Sequence, residues 1–267
     1  MTPEFHILLL RGLGREHRHW HGFDSILADR LPVPGETHCL DLPGIGSARS
    51  ERAPLSVAGI ARTMRKRWLS KVGADDALCG VVGISLGGMV AMDWITRWPQ
   101  DFGFAVLMNA STAHTAAPHH RLRLNAMGPL IRAAISRNPA RSEEWILRAT
   151  SAAAGERHDY IMRERIRIAR ERTIPLAATV RQFVAAAGFA GPSAIRVPTL
   201  VLAGLGDRLT SPSCSMALAR RFGADLRLHP TAGHDLTVDA PEWAAGKIAD
   251  WLENDLRLIH PEPMEQP

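Results

Sequence analysis

Gly83-Ile84-Ser85-Leu86-Gly87 sets a hydroxyl between two glycines, each two positions away. A serine in a G-x-S-x-G frame stands on a tight strand-to-helix turn, where bulky neighbours would collide. Such a turn strains the serine's backbone, and flanking glycines relieve the crowding. Val81-Val82 before it reads as the end of a buried strand, and Gly88-Met89-Val90-Ala91 after it as a helix. The chemistry would be nucleophilic, provided that a base takes the hydroxyl proton. His17, His19 and His21 alternate in one segment, as metal ligands sometimes do. No carboxylate or cysteine cluster accompanies them, so an exposed loop is the expectation and no metal is implied.

The elements around the serine alternate. Short apolar runs read as strands over 5–10, 37–41, 77–82, 104–108, 199–203 and 226–228. Helical spacing of apolar residues covers 20–31, 56–72, 89–98 and 241–256. Continuously apolar strands alternating with helices predict an α/β chain with a mostly parallel, doubly wound sheet covered on both faces. From about 113 to 190 no strand is expected, only helices rich in Arg, Ala and Glu. The chain therefore divides into a core, 1–112 and 191–267, and a helical insertion, 113–190. Arg163 to Arg172 is densely charged and reads as a solvated helix face laced with Glu–Arg pairs. The proline-bearing stretch from His260 to Pro267 reads as a frayed tail.

Composition narrows the classes. The chain has 267 residues, 46% hydrophobic and 22% charged, enough apolar material for one large core. No apolar run is long enough to span a bilayer, and the start lacks the features of a signal peptide. Cys39, Cys79 and Cys214 form no CxxC pair and read as reduced, buried thiols. Together these give a cytoplasmic expectation. A net charge of +5 with a single tyrosine and no nucleic-acid motif gives little ground for nucleic-acid binding.

With these residues the chain resembles the α/β-hydrolase superfamily, in particular small bacterial serine esterases with a helical cap. The likeness covers almost the whole length apart from the insertion. It implies a triad ordered Ser, Asp, His: Ser85, then Asp207 in Leu202-Ala203-Gly204-Leu205-Gly206-Asp207, then His234 in Ala232-Gly233-His234-Asp235-Leu236. His234 would take the serine proton, and Asp207 would orient the imidazole. Asp235 and Asp239 compete for the acid's role, but Asp235 adjoins the histidine, where an orienting contact is awkward.

The oxyanion hole would use the backbone N–H groups of Leu86 and Leu13. Family members commonly begin the latter loop with His-Gly; here Arg11-Gly12 stands instead, as a structural replacement or to recognise an acidic substrate group. Asp41-Leu42-Pro43-Gly44-Ile45-Gly46-Ser47, Trp20 and Arg181-Gln182-Phe183 resemble further family features.

A serine nucleophile implies acyl transfer without a cofactor. Dehalogenases and epoxide hydrolases of this architecture need a carboxylate in its place. The leading expectation is cleavage of a small or medium carboxylic ester under the helical cap, with Met127, Leu130, Ile131, Trp145, Ile146 and Phe183 available as pocket lining. The second is a thioesterase or esterase acting on an acyl carrier protein, whose acidic surface Arg163, Arg165, Arg167, Arg170 and Arg172 would meet. A third, of another class, is a catalytically silent binding protein.

Overall fold

A computed structural model describes residues 5–32, 34–72, 78–152, 155–172 and 174–255. Met1 to Glu4, Ala77, Leu256 and the expected tail lie outside the described residues. The described strands are β1 (Phe5–Leu10), β2 (Gly35–Cys39), β3 (Leu78–Ile84), β4 (Phe104–Met108), β5 (Thr199–Gly204) and β6 (Asp225–His229). They form one sheet in the order β2-β1-β3-β4-β5-β6, and every pairing is parallel.

Strand alternation explains the unbroken apolar runs, since both faces are covered. Leu8 and Leu10 of β1 join one core with α2 (Val57–Val72) and α3 (Leu86–Arg97). Ile7 and Leu9 join the other with α1 (Phe23–Ala28) and α11 (Pro241–Asp255). Between β4 and β5 the described residues form α4 (Pro118–Arg121), α5 (Leu124–Ile135), α6 (Pro139–Thr150), α7 (Gly155–Glu171) and α8 (Leu176–Ala187). Two more helices, α9 (Pro212–Phe222) and α10 (Leu236–Asp239), flank β6. Among the described residues no helix is long and apolar enough to cross a membrane.

Several boundaries differ from the sequence reading, each for a local reason. The helix expected over 20–31 is a 3-10 turn at His17–Trp20 followed by the shorter α1, divided by His21 and Gly22, both at positive φ. β2 ends before Asp41 because that buried carboxylate turns to cap the next loop. It accepts from the backbone N–H groups of His17 (2.6 Å) and Ser47 (2.7 Å) and from the Ser47 hydroxyl (2.8 Å). α3 begins at Leu86 rather than Met89, because the two glycines after it are helical. At Gly87 an added Cβ would lie 2.0 Å from the Leu10 carbonyl oxygen. Glycine is needed there for close approach, not for a bend.

Candidate active site

Ser85 stands between β3 and α3 with φ 56° and ψ −118°, a region that side chains rarely adopt. Its N–H donates to the Met108 carbonyl at 2.8 Å, which pins the turn to β4. Gly83 before it cannot carry a side chain, since a Cβ would lie 2.4 Å from the Gly87 oxygen. Across from it runs the loop after β1, where a Cβ on Gly12 would reach within 3.3 Å of Ser85 Cβ. The N–H groups of Leu13 and Leu86 donate to no acceptor among the described residues. The adjacent Gly14 N–H is held by Oε1 of the buried Gln182 at 3.0 Å, and Nε2 of Gln182 donates to the Pro43 carbonyl at 3.2 Å. One side chain of α8 thus fixes two core loops.

Asp207 and His234 come together from the loops after β5 and β6. Nδ1 of His234 lies 2.7 Å from Oδ2 of Asp207, and both residues are buried. The other oxygen, Oδ1, accepts from the N–H groups of Leu209 (2.8 Å) and Thr210 (2.9 Å). Burial opposes a charged imidazole, but the charge and hydrogen bond of Asp207 outweigh it. The His234 pKa therefore stands above the ordinary histidine value. Nε2 of His234 is buried and has no hydrogen-bond partner among the described residues, so Ser85 and His234 are not bonded in this state.

Neither competing carboxylate touches the histidine ring in this network. Asp239 closes the turn, accepting from the N–H groups of Gly233 (2.6 Å) and Ala152 (2.7 Å) and from the Ser151 hydroxyl. Asp235 is bound by Arg11 through both terminal nitrogens, the shortest contact being 2.9 Å, and by Nη2 of Arg165 at 2.6 Å. Burial works against its charge, yet the two guanidinium groups hold its pKa well below the usual carboxylate range. Arg11 also donates to the Thr237 hydroxyl at 3.0 Å and lies over the Trp20 ring. Arg11, expected as a structural replacement or to recognise an acidic substrate group, is thus committed to an internal ion pair.

Two sequence expectations are corrected here. Arg165 does not belong to a solvated face with Arg167: its relative exposure is 0%, and it joins α7 to Asp235. Four residues after Ile161 and three before Ile168, both buried, it falls on the inward side of a helix whose outward arginines mask it in the sequence. Nor is the histidine segment simply an exposed loop. His19 is fully buried, with Nε2 3.1 Å from Arg15, which also binds Glu143 at 2.8 Å. Burial, then the nearby arginines, push the His19 pKa well down; burial and Arg165 take that of His21 down to about 3. Both rings are neutral at physiological pH.

Sequence reasoning missed Asn109. It is buried after β4 at φ 45°, where its Nδ2 donates to the carbonyls of His234 (2.7 Å) and Gly233 (3.2 Å). Its Oδ1 accepts from Gly204 N–H at 3.1 Å. It thereby ties together the loops that carry the histidine and the acid. The one available signal was a polar residue directly after an unbroken apolar strand. Arg123 was also missed: its Nη1 donates to the Asp207 carbonyl at 2.8 Å, linking α5 to the acid's loop. Of the residues expected to line a pocket, Met127, Ile131 and Phe183 are largely exposed. Cys39, Cys79 and Cys214 are free, and burial pushes their thiols up to about 12, 11 and 11.

A family model described as the alpha/beta hydrolase family matches residues 7–247. An uncharacterized protein of Mycobacterium tuberculosis is 38% identical over 104 residues, 39% of this chain and 28% of that protein. An uncharacterized protein of Mycobacterium bovis matches to the same extent, so the chain spans about 28% of the length of these curated relatives. Among solved structures, an esterase from Exiguobacterium antarcticum superposes with a TM-score of 0.76 at 12% identity, over 95% of this chain and 93% of that one. A thermophilic esterase from Thermogutta terrifontis, malate bound, gives 0.72 at 19% identity over 94% and 90%. A peroxisomal alpha-beta-hydrolase of Saccharomyces cerevisiae gives 0.72 at 16% identity over 99% and 80%. At these identities the structural likeness is one of fold.

Proposed function

The chain belongs to the alpha/beta hydrolase family, and from that premise we propose that it is a serine hydrolase cleaving a carboxylic ester of small or medium acyl size. The observation that carries the reading is the strained Ser85 beside Gly12 of the loop after β1, with a buried Nε2, unpartnered among the described residues, on a histidine already held by Asp207. An imidazole fixed through Nδ1 keeps Nε2 as its only site for a new proton.

The reaction then follows from proton and electron flow. Ser85 Oγ attacks the ester carbonyl carbon while its proton passes to His234 Nε2. The carbonyl oxygen becomes an alkoxide, to which Leu13 and Leu86 offer their N–H groups. Collapse breaks the carbon–oxygen bond to the alcohol, which leaves with the proton from His234. Water attacks the acyl-serine next and gives its proton to the same nitrogen. Collapse of the second alkoxide breaks the bond from the acyl carbon to Oγ, Ser85 Oγ takes the proton back from His234, and the acid is released. Asp207 stabilises the imidazolium in both halves without taking a proton itself.

The inserted helices would act as the cap that receives the acyl group. A second reading has support from their charge. Residues 113–190 hold 13 arginines against 6 acidic residues, whereas the rest of the chain is net negative. Arg163 and Arg170 on α7 are exposed without an ion pair among the described residues. An acidic acyl carrier protein would suit that surface.

Hydrolysis of p-nitrophenyl esters from acetate to decanoate, by the wild type and Ser85→Ala, tests the first reading. Activity lost in the variant supports it, and the chain-length optimum sizes the acyl site. Labelling of Ser85 by a fluorophosphonate without turnover would favour the carrier-bound substrate. Neither turnover nor labelling would sink both readings.

A further inference from the structure

At the opposite end of the sheet from Ser85, three groups converge that the hydrolytic reading does not use. We infer that His6, His38 and Glu36 form a binding site for a borderline divalent transition metal, zinc foremost. The parallel register sets His6 of β1 beside Glu36 of β2, and Leu8 beside His38. Because side chains alternate along a strand, His6, Glu36 and His38 all project from one face. Nδ1 of His6 lies 3.0 Å from Nε2 of His38, and that nitrogen lies 3.7 Å from Oε2 of Glu36. All three ligand atoms fall within 4.8 Å of one another. Tetrahedral zinc with bonds of about 2.0–2.1 Å spaces its ligands about 3.3 Å apart, so the donors are already near that spacing.

The donor set fits the ion. Two imidazoles and a carboxylate suit zinc, copper, nickel or cobalt rather than calcium or magnesium. The His38 ring is fixed edge-on against Trp68, with centroids 5.4 Å apart. Its Nε2 stands at hydrogen-bonding distance from Nδ1 of His6, so one of the two nitrogens already presents a lone pair. Without a metal, two ring nitrogens can share one proton; a metal uses both lone pairs. The Glu36 carboxylate is solvent-exposed and offsets the nearby Lys71 charge, and water would complete the tetrahedron. β2 is the edge strand of the sheet, and a metal there would clamp it to β1. This is a structural role, separate from hydrolysis.

The test uses the full chain after chelator treatment. Titration with Co2+, followed by its visible absorption, and with Zn2+, followed by calorimetry, should show one equivalent bound with a tetrahedral cobalt spectrum. Zinc should raise Tm and leave ester hydrolysis unchanged. His6→Gln and Glu36→Gln should keep the metal-free Tm yet weaken binding by at least the roughly tenfold that losing even an outer-shell partner costs. Affinity weaker than about 1 mM in the wild type, or unchanged affinity in both variants, would overturn the assignment. In the second case the ion sits elsewhere.

Discussion

At the carboxyl edge of the sheet, the polar groups of the candidate site are held mainly by backbone. Asp207 accepts from two N–H groups, Asn109 grips two carbonyls and one N–H, and Ser85 is tied to Met108. The inserted helices are joined to the core differently. Alongside backbone contacts, buried charged side chains carry the join: Arg165 to Asp235, itself held by Arg11, and Glu143 to Arg15. Backbone hydrogen bonds fix geometry without net charge. The ion cluster has three guanidinium groups against two carboxylates, and two neighbouring histidines stay neutral beside it. One region is thus built for precision, and the other depends on charge balance that one substitution can upset.

The largest effect should come from the precise region. Ser85→Ala is expected to lower kcat by about four to six orders of magnitude, measured on the best p-nitrophenyl ester. Ser85→Gly should be equally inactive and yet more stable, by about 1–2 kcal/mol, because glycine releases the strain at φ 56°. A lower Tm for the glycine variant would refute stored strain at the turn.

Next in size is the charged join. Asp235→Ala leaves Arg11 and Arg165 buried without their shared anion. The expected cost is about 3–5 kcal/mol, read as a Tm lower by roughly 10 °C. If Tm moves by less than about 2 °C, the ion cluster is not what secures α7.

The two regions also differed in how much of them could be read from the sequence. The sheet was legible because strands buried on both faces are unbroken apolar runs, as in 104–108, where expected and observed limits coincide. Ser85 was legible because close backbone approach forces glycine at Gly83 and Gly87. Arg165 was not, since a buried arginine and a solvated one look alike in a run of alternating charges. Its partner, Asp235, lies 70 residues away and was weighed only as a competitor for the histidine. Asn109 was equally hidden, because its role lies in contacts with loops roughly a hundred residues on.

Asn109→Ala tests the backbone-held region at a point outside the proposed triad. It strands the Gly204 N–H and frees the His234 loop, at about 1–3 kcal/mol. If Asn109 positions the histidine, kcat and the rate of fluorophosphonate labelling should fall together, with KM little changed. A lower Tm with unchanged kcat would make the residue structural only.

A smaller effect separates the regions by pH. In the proposed mechanism His234 must be neutral to accept the serine proton, and its pKa is raised by Asp207. The acid limb of kcat/KM should therefore lie above the ordinary histidine value of about 6.5, activity rising as pH rises through it. The stability linked to this group runs the other way. It is fully present below the unfolded pKa and fades as pH climbs through the folded one. Asp235, whose pKa is depressed, contributes stability above about pH 4 that is lost only as pH falls further. An acid limb at or below pH 6 would contradict the ion pair at the triad.

The smallest effects compare two arginines on α7. Arg167 is exposed and paired with Glu164 and Glu171, contacts that solvent screens. Arg167→Ala should leave Tm and small-ester hydrolysis within error. Arg165→Met should also be mild, within about 1 kcal/mol, despite complete burial. Arg165 carries two buried nitrogens with no partner among the described residues, and Asp235 keeps Arg11 when it is gone. Removing it also takes one positive charge from a cluster with one too many. A large loss for Arg165→Met, near that of Asp235→Ala, would mean that the unpartnered nitrogens are satisfied by water and that the cluster is balanced as it stands. The exposed neighbours sharpen the same contrast: Arg163→Glu with Arg170→Glu should spare small esters. Selective loss on a carrier-bound ester would turn the reading of this helix from a solvated face to a docking one.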